Sequence, residues 1–166
     1  MTYSELRDRV ENIACGLLSI GVEKGDKISI LGGVRGEWFQ CDWAAICLGV
    51  VTVPIYPSNT AEQVAYIIDD CDAKAIFLEN TAQLDKVLSR IQRLGKLEKI
   101  IIWEEPPPGN NIPDLMTFQE LIIAGREYSK KHPDAFMEHV NSIRPEDILT
   151  IIYTSCLLYT SPSPRD

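Results

Sequence analysis

Residues 27–55 read KISILGGVRGEWFQCDWAAICLGVVTVPI, and this stretch decides the fold. It begins with a short apolar run, Lys27 to Leu31, and ends with a β-branched run, Val50 to Ile55. Between them, the spacing of apolar residues from Glu37 to Leu48 is typical of a helix. Strands that are apolar throughout occur in parallel sheets that are covered on both faces. The stretch therefore predicts a strand, a helix and a second, parallel strand.

The same alternation continues on both sides of this unit. Thr2 and Glu5 form a capping box that predicts a first helix, which Gly21 can end in a left-handed turn. Downstream, the sequence predicts a third helix capped by Asn59 or Thr60, a strand over Ala75 to Leu78, a fourth helix with an apolar stripe from Leu84 to Leu94, and a strand over Lys99 to Trp103. We therefore predict an α/β fold with a mainly parallel sheet and helices on both faces.

The composition changes after Trp103. Residues 104–114 hold four of the ten prolines, which predicts a surface loop. Thr117 and Glu120 form a second capping box at the start of another helix. The polar residues 126–141 predict one or two short helices split by a proline.

Ile148 to Tyr153 is the last apolar run, and it predicts a buried strand with Thr154 and Ser155 at its C-terminal end. In open α/β sheets, ligands bind at the C-terminal ends of strands. Hydroxyl groups and the backbone amides that follow them can donate hydrogen bonds to phosphate oxygens. Thr154 and Ser155 are therefore candidate phosphate-binding residues.

The overall composition excludes several classes of protein. Of the 166 residues, 45% are hydrophobic and 24% are charged, which is the balance of a globular chain rather than a disordered one. The net charge of −8 argues against a nucleic-acid partner. The longest apolar stretch, Trp43 to Tyr56, is too short for a membrane-spanning helix. The N-terminus lacks the pattern of a secretory signal, so we expect a cytoplasmic location.

The five cysteines, at positions 15, 41, 47, 71 and 156, are scattered and form no C-x-x-C pair. Such spacing offers neither a disulfide framework nor a metal site. We therefore predict reduced thiols that pack as small apolar residues.

The turn from Gly32 to Gly36, GGVRG, resembles part of a dinucleotide-binding fingerprint. However, Leu31 occupies the position of the first glycine, and Pro54 to Pro57 stands where an acid should meet the ribose. We interpret the segment as a plain strand-to-helix turn. The hypothesis of a small nucleotide-binding oxidoreductase domain rests on this incomplete motif alone.

Other residues with reactive or polar side chains are interpreted as structural, and we predict no metal site. We expect exposed histidines, a solvated helix end rich in aspartate, and tryptophans that pack rather than stack on a ligand: His132 and His139; Asp69, Asp70 and Asp72; Trp38, Trp43 and Trp103.

Several segments, correct in order and spacing, give the chain a resemblance to a known family. They are Thr2-Tyr3-Ser4-Glu5-Leu6 with Ala14-Cys15-Gly16-Leu17; Gly21-Val22 with Lys24-Gly25-Asp26-Lys27; Arg35-Gly36-Glu37-Trp38; Gly49-Val50-Val51-Thr52-Val53-Pro54-Ile55-Tyr56-Pro57; Ala61-Glu62-Gln63-Val64; and Asp147 through Ser155. On these segments the chain resembles the amino-terminal part of the adenylate-forming (AMP-binding) enzymes, and specifically the long-chain fatty acyl-CoA synthetase branch.

This resemblance implies an ATP-dependent ligase. In the family, a fatty acid reacts with ATP and Mg²⁺ to give an acyl-adenylate and pyrophosphate, and coenzyme A (CoA) then displaces AMP. The resemblance implies that Thr154 and Ser155 start the ATP phosphate loop, with Tyr153 at its edge. It assigns no catalytic residue and no metal ligand within this chain. Fatty acid, ATP and CoA would be substrates of the parent enzyme, whose peripheral contact with a membrane stays open.

Residues 156–166 depart from the family pattern. The family continues with Gly-Thr-Thr-Gly, one variable residue, Pro and Lys, whereas this chain reads CLLYTSPSPRD. This segment resembles a translated sequencing adapter, and we interpret it as a non-native, disordered tail. Residues 1–155 would then be the truncated first subdomain of the large AMP-binding domain.

We therefore expect an N-terminal fragment that is inactive alone, binds neither ATP, Mg²⁺ nor CoA, and self-associates through open sheet edges. The alternative is a non-catalytic α/β binding or interaction module that shares the early family topology. The coding sequence beyond Ser155 distinguishes them. A Gly-Thr-Thr-Gly continuation supports the fragment, and a genuine stop after Asp166 supports the module.

Overall fold

The computed structural model describes residues 2–106 and 112–154. The predictions for Ser155, Cys156 and the tail 156–166 lie outside the described residues. The elements, in chain order, are α1 (Tyr3–Ser19), β1 (Lys27–Leu31), α2 (Gly36–Cys47), β2 (Val51–Ile55), α3 (Ala61–Asp70), β3 (Ala75–Leu78), α4 (Thr81–Leu88), a 3-10 turn (Ile91–Arg93), β4 (Lys99–Ile102), β5 (Leu115–Thr117), α5 (Phe118–Lys131) and α6 (Ala135–Ser142).

The strands form one parallel sheet. Within the described ranges it has five strands in the order β2-β1-β3-β4-β5. Ile30 of β1 stands opposite Pro54 of β2 on one side and Phe77 of β3 on the other. The prediction of an α/β fold with a parallel sheet is confirmed.

Each face of the sheet has its own apolar core. Ile30 and Phe77 point into the core formed with α1, α2 and α5. Their neighbours Leu31 and Ile76 point into the opposite core, formed with α3 and α4. All four side chains are fully buried. Because successive strand residues point to opposite faces, a strand covered on both sides must be apolar throughout.

α1 and α5 pack with their backbones almost in contact. A Cβ atom added to Gly125 would stand 1.8 Å from the carbonyl oxygen of Asn12. One added to Gly16 would stand 2.5 Å from the carbonyl oxygen of Leu121. Backbone atoms in a helix cannot move aside as a flexible side chain can. Glycine is therefore required sterically at both positions.

The predicted N-terminal caps of α1, α3 and α5 all form. The Thr2–Glu5 and Thr117–Glu120 capping boxes both form. Of the two candidates for α3, Thr60 is the cap, and its hydroxyl accepts the Gln63 N–H at 3.3 Å. Each box satisfies backbone donors that the first helical turn leaves free.

The predicted fourth helix is shorter than its apolar stripe indicated. α4 ends at Leu88, and a 3-10 turn brings Leu94 to 4% exposure. The Ser89 hydroxyl donates to the Lys86 carbonyl at 2.8 Å, satisfying one of the acceptors at the helix end. The apolar spacing therefore continued after the helix had ended.

The last strand of the sheet, β5, was not predicted. Its residues Leu115 to Thr117 pair with β4 directly before the cap of α5. Three residues beside a proline-rich loop and a helix cap carry too little alternation to indicate a strand.

The prediction of a buried strand over Ile148 to Tyr153 is wrong. In this part of the described chain, strand pairing is limited to one isolated bridge, between Thr150 and Thr52 of β2. Ile148 is 63% exposed and Ile152 is 59% exposed. Ile151 and Tyr153 pack against the core formed with α3 and α4, whereas Ile148, Leu149 and Ile152 are exposed.

The cysteines agree largely with the prediction. Cys15, Cys41 and Cys71 are buried, Cys47 is half-buried, and all four are free thiols. Burial, followed by the nearby Glu11 charge, raises the pKa of the Cys15 thiol to about 11. Burial also raises the pKa of Cys41, Cys47 and Cys71. None of the described helices combines the length and the apolar character that crossing a membrane requires.

We expect Gly125→Ala to lower the free energy of unfolding by about 1–3 kcal/mol, since the new methyl group forces α1 and α5 apart. Gly95→Ala is the matched control, because a Cβ atom there meets nothing within 4 Å. Chemical denaturation measures both. Equal stability of the two variants would contradict the close packing of the helices.

We expect the free energy of unfolding to decrease between about pH 9 and pH 11. The buried Cys15 thiol stays protonated in the folded state up to a pKa of about 11, whereas the thiol of the unfolded chain ionises from about pH 9. The folded state then holds more protons than the unfolded state, so rising pH favours unfolding. Cys15→Ala should flatten the decrease, which urea titrations at successive pH values would measure. A slope unchanged in the variant would argue against this assignment.

Candidate functional site

The C-terminal edge of the sheet holds the residues singled out from the sequence. The chain leaves β1 through Gly32 and Gly33, and it leaves β3 through Glu79. β1 lies between β2 and β3, so the chain turns in opposite directions from these two ends. Such a switch point is where open α/β sheets bind ligands.

In this chain, side chains of the protein fill the switch point. The Gly33 N–H donates to Glu79 Oε2 at 2.7 Å. The Trp103 ring lies so close to Gly32 that an added Cβ would stand 2.6 Å from it. The Glu79 carboxylate thus accepts the hydrogen bond of a backbone amide that would bind the pyrophosphate in a dinucleotide site. This arrangement agrees with the interpretation of GGVRG as a structural turn.

Arg35 lies at the same switch point. Its guanidinium lies 2.9 Å from Glu37, 3.2 Å from Glu104 and 3.6 Å from Glu79. It also lies 5.9 Å from the centre of the Trp103 ring. The hydrogen bond to Glu37 raises the pKa of Arg35. One cation therefore links the turn after β1 to the ends of β3 and β4.

The segment that carries Thr154 runs beside β2 at the edge of the sheet. The Thr52 N–H donates to the Leu149 carbonyl at 3.1 Å. The Thr52 carbonyl accepts the Ile151 N–H at 3.0 Å and the Thr150 hydroxyl at 2.8 Å. Because the Thr52–Thr150 bridge is parallel, the chain continues from it toward the C-terminal edge. Thr154 follows there and is exposed.

Tyr153 fixes the end of this segment against α3. Its hydroxyl donates to Asp70 Oδ2, and its ring meets the Tyr66 ring edge-on at a centroid distance of 6.4 Å. Burial, followed by the hydrogen bond to Asp70, raises the pKa of Tyr153. Asp69, Asp70 and Asp72 are exposed, as predicted for a solvated helix end, and Asp70 in addition accepts the hydrogen bond from Tyr153. Tyr66 and Asp70 are four residues apart, so they lie on one face of α3 and can both contact Tyr153.

A cavity of about 220 Å³ lies next to this segment. Exposure alternates along residues 151–154, so that Ile151 and Tyr153 face inward while Ile152 and Thr154 face outward. Ile152 borders the cavity, and Thr154 follows two residues later. The remaining lining is mostly apolar and comes from the ends of β1 and β2 and from α2: Gly32, Val34, Trp38, Pro54, Ile55 and Tyr56.

The other singled-out residues lie away from this edge. His132 is exposed and lies against Tyr128, and His139 is half-buried with Nδ1 2.8 Å from the Ala135 carbonyl. Trp38 packs against the core as predicted. The packing prediction is wrong for Trp43, which is 45% exposed and lines a separate groove between α1, α2 and α6. Among residues 2–106 and 112–154, no three acidic, histidine or cysteine side chains converge to hold a metal ion.

Comparison with known protein families matches residues 1–156 to the model of the AMP-binding enzymes. The chain belongs to this family. The match spans both cores and the segment that ends at Thr154. It agrees with the resemblance drawn from the sequence motifs.

Relatives of this AMP-binding chain are long-chain-fatty-acid–CoA ligases. It is 32% identical to ACSBG2 of Xenopus laevis over 156 residues, covering 93% of this chain and 20% of the relative. It is 30% identical to FadD15 of Mycobacterium bovis, covering 93% of this chain and 24% of the relative. The chain thus spans about a fifth to a quarter of the length of these relatives.

Solved structures show the same fold. Coronafacic acid ligase from Pectobacterium brasiliense superposes with a TM-score of 0.78 at 24% identity, covering 92% of this chain and 28% of that protein. The anthranilate CoA ligase AuaEII superposes with a TM-score of 0.68 at 23% identity, covering 74% and 23% of the two chains. At these identities, the likeness concerns the architecture.

We expect Arg35→Ala to lower the free energy of unfolding by about 1 kcal/mol, because three carboxylates lose their shared cation and the Trp103 ring loses its cover. The effect stays small since the Arg35 side chain is 36% exposed. Arg126→Ala, on the exposed face of α5, is the control. The difference between the variants should shrink in about 1 M salt, which screens exposed charges. Equal destabilisation of both variants would contradict a linking role for Arg35.

Proposed function

We propose that this chain is the first part of an ATP-dependent long-chain fatty acid–CoA ligase. The overall reaction converts a fatty acid, ATP and CoA into acyl-CoA, AMP and pyrophosphate through an acyl-adenylate. Family membership and the names of the relatives support this proposal. The nature of the acyl substrate comes from the relatives.

The chemistry explains why such an enzyme needs phosphate-binding groups. A carboxylate oxygen is a poor leaving group until it carries AMP. Its attack on the α-phosphorus of ATP forms the C–O–P linkage of the adenylate and releases pyrophosphate. The CoA sulfur then attacks the acyl carbon, and AMP leaves with the carboxyl oxygen. Negative charge builds up on the phosphates during the first step, and preorganised donors stabilise it.

In this chain, the proposal assigns the start of the phosphate loop to Thr154 and Ser155. The observation that supports the assignment is the position of Thr154 at the C-terminal edge of the sheet, two residues after Ile152, which borders the cavity. Its hydroxyl is exposed and can donate to a phosphate oxygen. Among the described residues, no cluster of acidic, histidine or cysteine side chains could hold the Mg²⁺ that accompanies ATP. No catalytic residue is assigned within the described ranges.

Thr154 and Ser155 are too few donors to bind ATP unaided. Each hydrogen bond contributes about 1 kcal/mol, whereas micromolar affinity requires about 8 kcal/mol. We therefore expect isothermal titration of the 166-residue chain with MgATP to show no saturable binding in the micromolar range. One-site micromolar binding would contradict the division of the ATP site between this chain and the rest of the ligase.

The full-length ligase provides the positive test. We expect pyrophosphate release that depends on a long-chain fatty acid and is not supported by acetate. Thr154→Val should lower kcat/KM for MgATP about tenfold, the cost of one hydrogen bond to a charged group. Ser4→Ala, which removes an exposed hydroxyl on α1, should leave it unchanged. If neither variant loses activity, the assignment of Thr154 is rejected. A protein that ends after Asp166 in its source genome would favour a non-catalytic binding module instead.

A further inference from the structure

The segment that carries Thr154 has weak support of its own. Its ladder contacts involve a single residue of β2, Thr52, and Ile148, Leu149 and Ile152 are each more than half exposed. The segment makes two backbone hydrogen bonds and one hydroxyl hydrogen bond, all of them with Thr52. Among the described residues, Ile152 and Tyr153, the last two residues before the loop, have no ladder partner. An exposed edge segment with so few bonds frays easily. Something beyond the sheet must fix the position of Thr154.

α3 supplies that support through the Tyr153 side chain. The phenol hydroxyl donates to Asp70, and the ring packs edge-on against Tyr66 at an interplanar angle of 90°. Tyr153 also packs against the core between α3 and the sheet. The ring is therefore held by a hydrogen bond at its tip and by apolar contact along its body. An edge-to-face ring pair adds to the burial of the two rings.

The sequence of α3 makes Asp70 unusual. Asp69 and Asp70 are the last two residues of the helix, and its last turn has no basic residue. A negative charge is unfavourable there, because the C-terminus of a helix carries the negative end of its dipole. The helix itself thus gains nothing from Asp70. The bond to Tyr153 is the favourable contact that the structure gives this side chain.

We infer that Asp70 and Tyr66 are positioning residues, which hold Tyr153 and thereby fix where Thr154 stands at the phosphate-binding edge. Neither residue touches substrate in this arrangement. The consequence for ATP binding rests on the proposed function, whereas the consequence for the order of the segment does not. A substitution in α3 should therefore affect the binding of the ATP phosphates only through Tyr153.

The first test uses the 166-residue chain and needs no ligand. In Asp70→Ala, we expect the Ile151 amide, which donates to Thr52, to exchange its hydrogen about fivefold faster, as the loss of one hydrogen bond implies. Asp70→Asn keeps an acceptor and should restore most of the protection. Asp69→Ala is the matched control, since it removes the same charge from the same helix end without touching Tyr153. Tyr153→Phe should behave like Asp70→Ala.

Exchange detected by NMR gives the decisive comparison. Both alanine variants relieve the helix dipole equally, so a purely structural role of Asp70 in α3 would make them alike. Equal Ile151 exchange in Asp69→Ala and Asp70→Ala would overturn the inference. Circular dichroism of each variant confirms that α3 remains folded.

The second test uses the full-length ligase. We expect Asp70→Ala to raise KM for MgATP several-fold with little change in kcat, because a displaced donor weakens binding in the ground state and the transition state alike. Asp70→Asn should return KM toward the wild-type value. If Thr154→Val raises KM and Asp70→Ala does not, the positioning role is wrong while the proposed function stands. If Thr154→Val has no effect, the phosphate role fails, and the exchange result alone judges the contact with Tyr153.

Discussion

Burial of β1 and β3 on both faces is the constraint on which the other features of this structure depend. Both strands lie inside the sheet, and their successive side chains alternate between two apolar cores. Neither core can form without helices on its side, so each helix has a required place. α1, α2 and α5 cover one face, and α3 and α4 cover the other. Because helices cover both faces, a ligand can reach the sheet at the C-terminal ends of its strands, where ligands bind in open α/β sheets.

Burial on both faces is less complete at the β2 edge of the sheet. Thr52 is buried, yet its backbone bonds to a segment whose own side chains are largely exposed. Layered packing therefore fixes β1 and β3 firmly, whereas the residues before Thr154 depend on a few specific contacts. Functional segments in α/β proteins often combine a rigid sheet with less stable connections. Here the connection is held by a tyrosine that reaches across to α3.

The fold could be predicted from the sequence wherever a pattern repeats. Apolar runs such as Lys27 to Leu31 indicated strands, and threonines with an acid or amide three residues later indicated helix starts. β5 and the end of α4 could not be predicted, since three residues carry no period and the apolar stripe continued to Leu94 through a different backbone shape. The run from Ile148 to Tyr153 was misjudged because hydrophobicity indicates what a segment can bury, and only the neighbouring elements decide whether it is buried.

The candidate site could be predicted from the sequence only in part. Thr154 and Ser155 came from a motif, but the contact between Asp70 and Tyr153 joins residues 83 positions apart. No local pattern specifies such a pair. Glu79 likewise reaches Gly33 across 46 positions, and its carboxylate accepts the hydrogen bond from the Gly33 amide. Contacts of this kind depend on the sheet order, which the sequence pattern alone left undetermined.

The steric fit of α1 against α5 has a consequence during synthesis. α1 leaves the ribosome well before α5, and the surface that accepts Gly16 is completed only when Gly125 has been made, about a hundred residues later. Until then, the buried stripe of α1 that includes Ile13 and Leu17 has no partner in α5. Apolar surface that stays exposed during folding makes a chain prone to aggregation. Of the two helices that pack most extensively against α1 on this face, α2 is made early and α5 late, so the burial of α1 against them is completed only when α5 has been made.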